Sequence, residues 1–368
     1  MAKPYKILIA PLDWGLGHAT RSIPLIMSLL EEGCTIYIAA DGQIRSLLQV
    51  EFPNATFLML KGYKIQYATQ KKWMPLKIIL QIPGILFSIY KEYQWLKNIV
   101  KKHSIDGVIS DNRFGMYHTV IPSIYITHQL LIKTGNKFSE SIARKFHYWF
   151  IKKYTQCWVP DFEGKENIAG QLSHPKDLPA NIKYIGCLSR FERHEAAEIQ
   201  YDLLILLSGP EPQRAIFEKL LLLQLQQFSG KVLLVRGQPG INETFLNPKG
   251  ISNNIQIKNH LAAKELNLAI EQAKIVICRS GYTTIMDMIK LQKKAILVPT
   301  PGQTEQEYLG LHLMQQKLFY SVHQNEFLLN EVLETVNEFP SLFIDYDMEQ
   351  HKKIIHQFVQ KMPANLKN

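Results

Sequence analysis

Twice along this 368-residue chain, a run of consecutive apolar residues ends in a glycine-bearing loop and passes at once into a helical pattern. Tyr5–Ala10 leads into a loop holding Gly15 and Gly17. Ile23, Leu25, Ile26, Leu29 and Leu30 then recur at helical spacing as far as Gly33, which suits a helix C-cap. Leu203–Leu207 leads into Ser208-Gly209-Pro210-Glu211-Pro212 and a helix over Arg214–Leu223. A strand without polar alternation is buried on both faces, which requires a parallel sheet with helices on either side. Further apolar runs at 36–40, 107–110, 121–127, 156–159, 231–235, 255–257, 275–278 and 295–298 repeat the theme, with helical patterns between most of them. The fold expected is α/β: two Rossmann-like doubly wound domains with a cleft between them. The join is expected within Tyr184–Phe191. It would separate an N-terminal domain (1–188) from a C-terminal one (189–345), with a last helix (346–368) packing back toward the first.

Charge divides along the same line. The formal net charge is +10, but residues 1–190 hold 24 Lys/Arg against 13 Asp/Glu and the remainder 18 against 19. A protein that coats nucleic acid would be basic throughout, so no nucleic-acid partner is expected. Cys34, Cys157, Cys187 and Cys278 are widely spaced and form no CxxC pair, which suggests a reduced cytoplasmic chain without structural metal. The N-terminal residues lead straight into a strand and contain no signal-peptide core. Between Lys77 and Lys91 lies the most apolar stretch, 13 residues interrupted by Gln81, Pro83 and Gly84. A spanning helix needs roughly 20.

Ligands of open parallel sheets bind beyond the carboxyl ends of the strands. In the first half, Gly15 and Gly17 let backbone approach a bound group before a helix start, and His18 there is a plausible neutral base or a loop-fastening side chain. Asp41 follows the second strand as a ribose-binding acid would, but Thr20 stands where a dinucleotide fingerprint has its third glycine. Asp111, Asn112 and Arg113 at another strand end suit a hydroxylated or anionic acceptor, or else an Asp–Arg pair that fastens the loop. His128 and Gln129 end a third strand. The three loops are expected to share one cleft wall, with His18 and Asp111 catalytic and Gly15, Gly17, Asn112, Arg113, His128 and Gln129 against the acceptor.

In the second half, Ser208-Gly209 and Arg214 form a phosphate-cradling loop with a cation, and Arg236 ends the next strand. Cys278-Arg279-Ser280-Gly281-Tyr282-Thr283-Thr284-Ile285-Met286-Asp287 reads as strand end, tight turn and helix start. A carboxylate one turn inside that helix can take hydrogen bonds from a sugar cis-diol, or simply favour the helix dipole. Val298–Glu307 is a strand followed by a polar loop.

The stretch 278–287, followed by Val298-Pro299 and Gln306, resembles the donor-binding signature of GT-B glycosyltransferases. It is similar in particular to the family 28 enzymes of peptidoglycan synthesis that move N-acetylglucosamine from UDP to a lipid-linked acceptor. Gly15–His18 resembles that family's Gly-x-Gly-His loop, Thr127-His128-Gln129 its His-Glu-Gln segment, and Gly186–Arg190 its interdomain linker. The resemblance implies that Asp287 binds ribose, that Ser208, Gly209 and Ser280, Gly281, Thr283 and Thr284 hold the diphosphate, and that Gln306 and Glu307 hold the sugar. It also implies that His260 and Leu261 lie by the uracil and His18 by the acceptor hydroxyl. Glu307 replaces the family's second Gln, Gly310 its Asn, and Glu-Pro-Gln-Arg its usual Ser-Gln-Gly-Ala, so the resemblance does not carry over the sugar's identity.

The expected activity is metal-independent, inverting transfer from a UDP-sugar to a lipid-linked or other membrane-associated acceptor, with no cofactor beyond the co-substrate. Arg214 or Arg279 would stabilise the leaving group. Asp345-Tyr346-Asp347 imitates a metal-binding DxD, yet it precedes the last helix and reads as a solvated turn and cap. Basic and bulky apolar residues interleave between Lys71 and Lys102 and again from Arg144 to Lys153, a composition suited to an anionic membrane surface. An epimerase of the same fold would use a similar donor site without an acceptor, and a non-catalytic subunit would bind nucleotide-sugar without turnover.

Overall fold

A computed structural model of the chain describes residues 3–13, 15–62, 74–133, 136–194, 197–238 and 252–362. The first lobe contains β1 (Lys6–Pro11), α1 (Leu16–Glu31), β2 (Thr35–Ala39), α2 (Gly42–Glu51), β3 (Thr56–Leu58), α3 (Met74–His103), β4 (Gly107–Asp111), β5 (Ser123–Ile126), α4 (Lys137–Ile151), β6 (Gln156–Val159) and β7 (Ile182–Tyr184). The second contains β8 (Tyr201–Leu206), α5 (Gln213–Leu225), β9 (Val232–Val235), β10 (Ile255–Lys258), α6 (Ala263–Glu271), β11 (Ala273–Cys278), α7 (Tyr282–Lys290), β12 (Ala295–Leu297), α8 (Thr304–Gln315), β13 (Tyr320–Ser321) and α9 (Leu329–Glu338). A last helix, α10 (Gln350–Gln360), closes the described chain.

Both sheets are parallel and doubly wound, in the orders β3-β2-β1-β4-β5-β6-β7 and β10-β9-β8-β11-β12-β13. In each, the first strand lies at the centre and the winding reverses beside it, which opens a crevice at the carboxyl ends of β1 and β4 and of β8 and β11. The continuous apolar runs supply strands buried on both faces: Ile7, Leu8, Ile9 and Ala10 in β1, and Val276, Ile277 and Cys278 in β11, are at most 1% exposed. The strands not anticipated from the sequence are β3, β7 and β13, edge strands of two or three residues that are half-exposed and carry no apolar run.

The chain crosses between lobes after β7 and again before α10, and a further segment ties them together. Between β6 and β7, Phe162, Ile168 and Leu172 leave the first sheet and join the core of the second lobe. After α9, α10 returns Ile354, Ile355 and Phe358 to the core of the first, where Phe358 meets Trp158 edge-on at 5.4 Å between centroids. All four cysteines are buried thiols. Asp41 turns out to cap α2, its Oδ1 accepting from the Gly42 N–H at 2.8 Å. Asp347 accepts from the Glu349 N–H and pairs with Lys353, while Tyr346 stacks on Phe162 at 4.1 Å.

Since α10 completes the first lobe's core, Ile355→Ala should lower stability by about 2–5 kcal/mol, as fully buried aliphatic truncations do. Urea unfolding that shows less than about 1 kcal/mol of loss would mean that the lobe closes without this helix.

Candidate active site

The register of the first sheet places Pro11 opposite Asp111, so the β1–α1 loop and the end of β4 share the crevice. Gly15 stands at φ +86°, in the left-handed region that glycine tolerates best, and this bend starts α1. His18 and Arg21, three residues apart on one face of α1, both reach Asp111. His18 Nδ1 lies 3.0 Å from Asp111 Oδ2. Arg21 donates from Nε to the same oxygen at 2.7 Å and from Nη2 to Oδ1. Burial pushes the Asp111 carboxyl up, but the charges of Arg21 and His18 outweigh it and hold this group far below the usual carboxylate range. Burial is also the largest influence on His18 and lowers its pKa against the pull of Asp111, which favours the neutral ring. When Nδ1–H donates to Asp111, the lone pair is left on Nε2, the arrangement of a general base.

Across the cleft, Cys278 pairs with Leu206, which sets the 279–281 turn beside the Ser208-Gly209 loop. Gly281 is the N-cap of α7, and the first-turn N–H groups of that helix, with those of Thr283 and Thr284 among them, form an anion-attracting end. The lobes touch here. Thr283 Oγ1 donates to Gly17 O at 3.4 Å, and a Cβ added to Gly17 would stand 3.1 Å from that hydroxyl oxygen. Asp287, half-buried in the second turn of α7, accepts from Ser189 Oγ of the interdomain linker at 2.6 Å. Its pKa is pushed up to about 7 by burial, with the Ser189 hydrogen bond and the Arg190 charge pulling the other way. His260 is exposed and Leu261 half-buried on the loop between β10 and α6, with Arg190 close enough to depress the histidine further after burial has done so. Among the described residues, no group of three or more His, Cys, Asp or Glu could hold a metal ion.

Residues 213–361 match the glycosyltransferase family 28 C-terminal domain. Along most of its length the chain is 22% identical to an uncharacterized glycosyltransferase of Methanosarcina acetivorans, over 329 residues that cover 82% of this chain and 81% of the relative. It is also 22% identical over 287 residues to a UDP-N-acetylglucosamine--N-acetylmuramyl-(pentapeptide) pyrophosphoryl-undecaprenol N-acetylglucosamine transferase of Rickettsia felis, covering 71% of this chain and 74% of that one. The crystallised glycotransferase of kitacinnamycin superposes with a TM-score of 0.62 at 14% identity over 97% of this chain and 95% of its own, a likeness of fold. The chain is a GT-B glycosyltransferase.

Several arginines that look like ligand-binding cations in the sequence of this glycosyltransferase have protein partners instead. Arg113 is fully buried: it donates to Pro11 O at 3.0 Å, Lys61 O at 3.2 Å and Glu92 Oε1 at 2.5 Å, which fastens its loop to α3. Arg214 lies between Glu211 and Glu218 at 2.5 and 2.8 Å, and Arg236 pairs with Glu218 and with Asn259 Oδ1 at 2.9 Å. Arg279, 1% exposed, donates to the carbonyls of Val298, Pro299 and Gln213 and to Gln324 Oε1, and lies 4.3 Å over the Phe217 ring. Burial lowers its pKa to about 10, which leaves it charged. These side chains fasten the loops of the site to one another.

Gln306 and Glu307 likewise serve their own loop. Gln306 accepts from Thr300 N at 2.9 Å and donates to Gln303 Oε1 at 2.7 Å, and Glu307 accepts from Gly302 N at 2.8 Å. Ser280 Oγ donates to Gln306 O at 2.8 Å. Two members of this run cross the cleft: Thr304, whose Oγ1 donates to Lys133 O at 2.8 Å, and Glu305, whose Oε1 accepts from His128 Nε2 at 2.7 Å. Asn112, at φ +55°, is half-buried and accepts from the Tyr125 hydroxyl at 3.2 Å. Gln129 is half-buried and donates its N–H to Thr127 Oγ1 at 3.1 Å. Sequence reasoning passed over Arg21, Ser189 and Glu305. Only Arg21 carried a signal, as a cation one turn after His18 on an otherwise apolar helix.

Arg113→Met should therefore act on stability. With Glu92 deprived of this buried ion pair, unfolding measurements should show a loss of about 3–5 kcal/mol. An unchanged denaturation midpoint with weakened substrate binding would return Arg113 to the binding surface.

Proposed function

We propose that this glycosyltransferase is inverting and metal-independent, takes a UDP-linked sugar in its second lobe, and transfers the sugar to a lipid-linked acceptor held at a membrane surface by the first. The observation that carries this reading is the His18–Asp111 pair set opposite the N-terminus of α7. His18 Nε2 takes the proton of the acceptor hydroxyl as its oxygen attacks the anomeric carbon from the face opposite UDP. The bond from that carbon to the diphosphate oxygen breaks, and the configuration inverts. Asp111 stays ionised and stabilises the imidazolium that forms. The charge left on the diphosphate is met by the N–H groups at the start of α7 and by the Ser208-Gly209 loop, where the left-handed φ of +100° at Gly209 lets the backbone turn closely about a phosphate. The Asp287 carboxylate accepts hydrogen bonds from the ribose hydroxyls. The choice of UDP rests on the name of the Rickettsia relative.

A lipid-linked acceptor is supported by the outer face of α4. Phe138, Ile142, Phe146 and Trp149 form a stripe at helical spacing and are 40–76% exposed, and Leu86 and Phe87 of α3 are exposed as well. Lys145 and Lys152 are exposed on the same helix end, and Lys153 lies 3.5 Å over the Trp149 ring. Such a face enters the headgroup layer with its apolar side, and each basic residue near an anionic surface adds about 1 kcal/mol. Lys71, Lys72 and Trp73, and the side chains of residues 74–80, lie outside the described residues. Among the described residues no helix is long and apolar enough to cross a membrane.

Three measurements test the reading. UDP-N-acetylglucosamine and UDP-glucose should raise the melting temperature. Affinity should rise between pH 6 and 8 as Asp287 ionises, and Asp287→Asn should flatten that slope; no binding of either donor at any pH overturns the donor assignment. His18→Ala should cut UDP release by about 10² or more with donor affinity retained. Near-normal turnover would remove His18 from the mechanism, and UDP-sugar conversion without an acceptor would mark an epimerase. Phosphatidylglycerol vesicles should sediment the protein at low salt and lose it with Phe138→Ser/Trp149→Ser; equal sedimentation of the variant would exclude this face.

A further inference from the structure

A second concavity opens at the amino ends of the first sheet, the end opposite His18 and Asp111. β5, β6 and β7 start at Ser123, Gln156 and Ile182, and residues of α10 and just after it form the facing wall. The space measures about 430 Å³, within the range of small-molecule sites. Its floor is apolar: Ile121, Ile124, Ile354, Phe358 and Met362 are each at most 9% exposed.

The polar groups around that floor have their acceptors already occupied. Gln156 Oε1 accepts from Trp158 Nε1 at 2.9 Å and Gln357 Oε1 from Lys183 Nζ at 2.9 Å, so each amide is left with its NH2 donors. His118 Nδ1 accepts from the N–H groups of Val120 at 3.1 Å and Ile121 at 3.3 Å, which puts the hydrogen of the neutral ring on Nε2. Thr155 Oγ1 accepts from Ser123 N at 3.0 Å, leaving its own hydrogen to donate. Lys183 is half-buried and Lys361 exposed. Burial and then the charge of Lys361 lower the Lys183 pKa, as a neighbouring ammonium group does. No Asp or Glu lines the space, and among the described residues neither lysine has a carboxylate partner.

We propose that this concavity is a second ligand site, which takes an alkyl phosphate: its phosphate monoester head is held by Lys183, Lys361 and the amide donors of Gln156 and Gln357, and its hydrocarbon chain lies on the Ile124–Phe358–Met362 floor. A carboxylate head would answer only one of the two ammonium charges, whereas a phosphate monoester carries about −1.5 to −2 near pH 7. A sugar or nucleotide would set hydroxyls and ring nitrogens against apolar side chains without partners. Since the walls belong to both the sheet and α10, an occupant ties the last helix to the first lobe and stabilises it. The site is independent of the sugar donor and acceptor.

Octyl phosphate, kept below its micelle concentration, is the probe, with octanol and inorganic phosphate as its two halves. Calorimetry on the full-length protein should show octyl phosphate bound at least tenfold more tightly than either half, and the melting temperature should rise with it. Lys183→Gln/Lys361→Gln should weaken binding at least tenfold. Gln357→Trp, which keeps both lysines but puts a ring in the mouth, should do the same. These positions are half-buried or exposed, so UDP release and the melting temperature of the free variants should match the native protein. Phe138→Ser/Trp149→Ser should bind octyl phosphate as tightly as the native chain does. No binding of octyl phosphate, or equal binding by the native protein and both cavity variants, overturns the proposal. Loss of binding with Phe138→Ser/Trp149→Ser alone overturns it too, by moving the ligand to the α4 face. Inorganic phosphate bound as tightly as octyl phosphate overturns the apolar part of the assignment, and octanol bound as tightly overturns the anionic part.

Discussion

A carboxylate buried at the end of a central strand costs several kcal/mol unless its charge is met at once, and Asp111 is 2% exposed. The cleft is organised by the way that charge is met. Arg21 covers it with two donors and His18 with a third contact, and both come from a single turn of α1. For the turn to reach, β1 must lie beside β4 and the β1–α1 loop must be short, which doubly wound order and Gly15 provide. A histidine on the same helix without Asp111 would have either nitrogen protonated with similar ease. Placed against an ionised carboxylate, its Nδ1 gains an acceptor at 3.0 Å, while Arg21 Nη2 stands 2.7 Å from the same nitrogen.

Under the proposed donor assignment the second lobe meets the opposite electrostatic problem, since a nucleotide-sugar is an anion. Its buried cations are already matched: Arg214 and Arg236 share Glu218, and Arg279 is surrounded by carbonyls. Oriented backbone at the start of α7 and in the 208–209 loop would then meet a diphosphate. Backbone donors have fixed directions and cannot be drawn away into other ion pairs, so they pre-organise the site in a way that a long flexible cation would not. The basic excess of the first 190 residues is thus not needed by the proposed donor site. It lies on the lobe that bears the exposed apolar stripe of α4.

How much of this was legible in the sequence depends on range. The central strands, the loops at their ends and the two-lobed order follow from local apolar runs, and the edge strands escape because two or three half-exposed residues leave no such run. The tetrapeptide Ser110–Arg113 shows where local reading stops. Asp111 is the last residue of β4 and faces the crevice, but Asn112 turns the chain through φ +55°, and Arg113 is carried under β1 to Pro11 O and Glu92. Two charges, two residues apart, that read as one acceptor-binding unit therefore point to different parts of the molecule. Asp111 and Arg21 are 90 residues apart, and Glu305 and His128 are 177 apart, so only strand register and lobe docking bring them together.

Two crossings of the chain join the lobes, at the linker after β7 and again before α10. The Phe162–Leu172 segment also embeds part of the first lobe in the core of the second, so that face is continuous apolar packing with little freedom to slide. The cleft face is different in kind. There the contacts are a threonine hydroxyl on Gly17 O, the stacked His128–Tyr282 pair, Thr304 Oγ1 on Lys133 O, and the His128–Glu305 hydrogen bond. Directional contacts of this kind can be broken and remade one at a time, whereas continuous apolar packing resists sliding. The groups that would carry out chemistry in this glycosyltransferase therefore lie where the lobes meet through directional contacts, and their alignment depends on both lobes together.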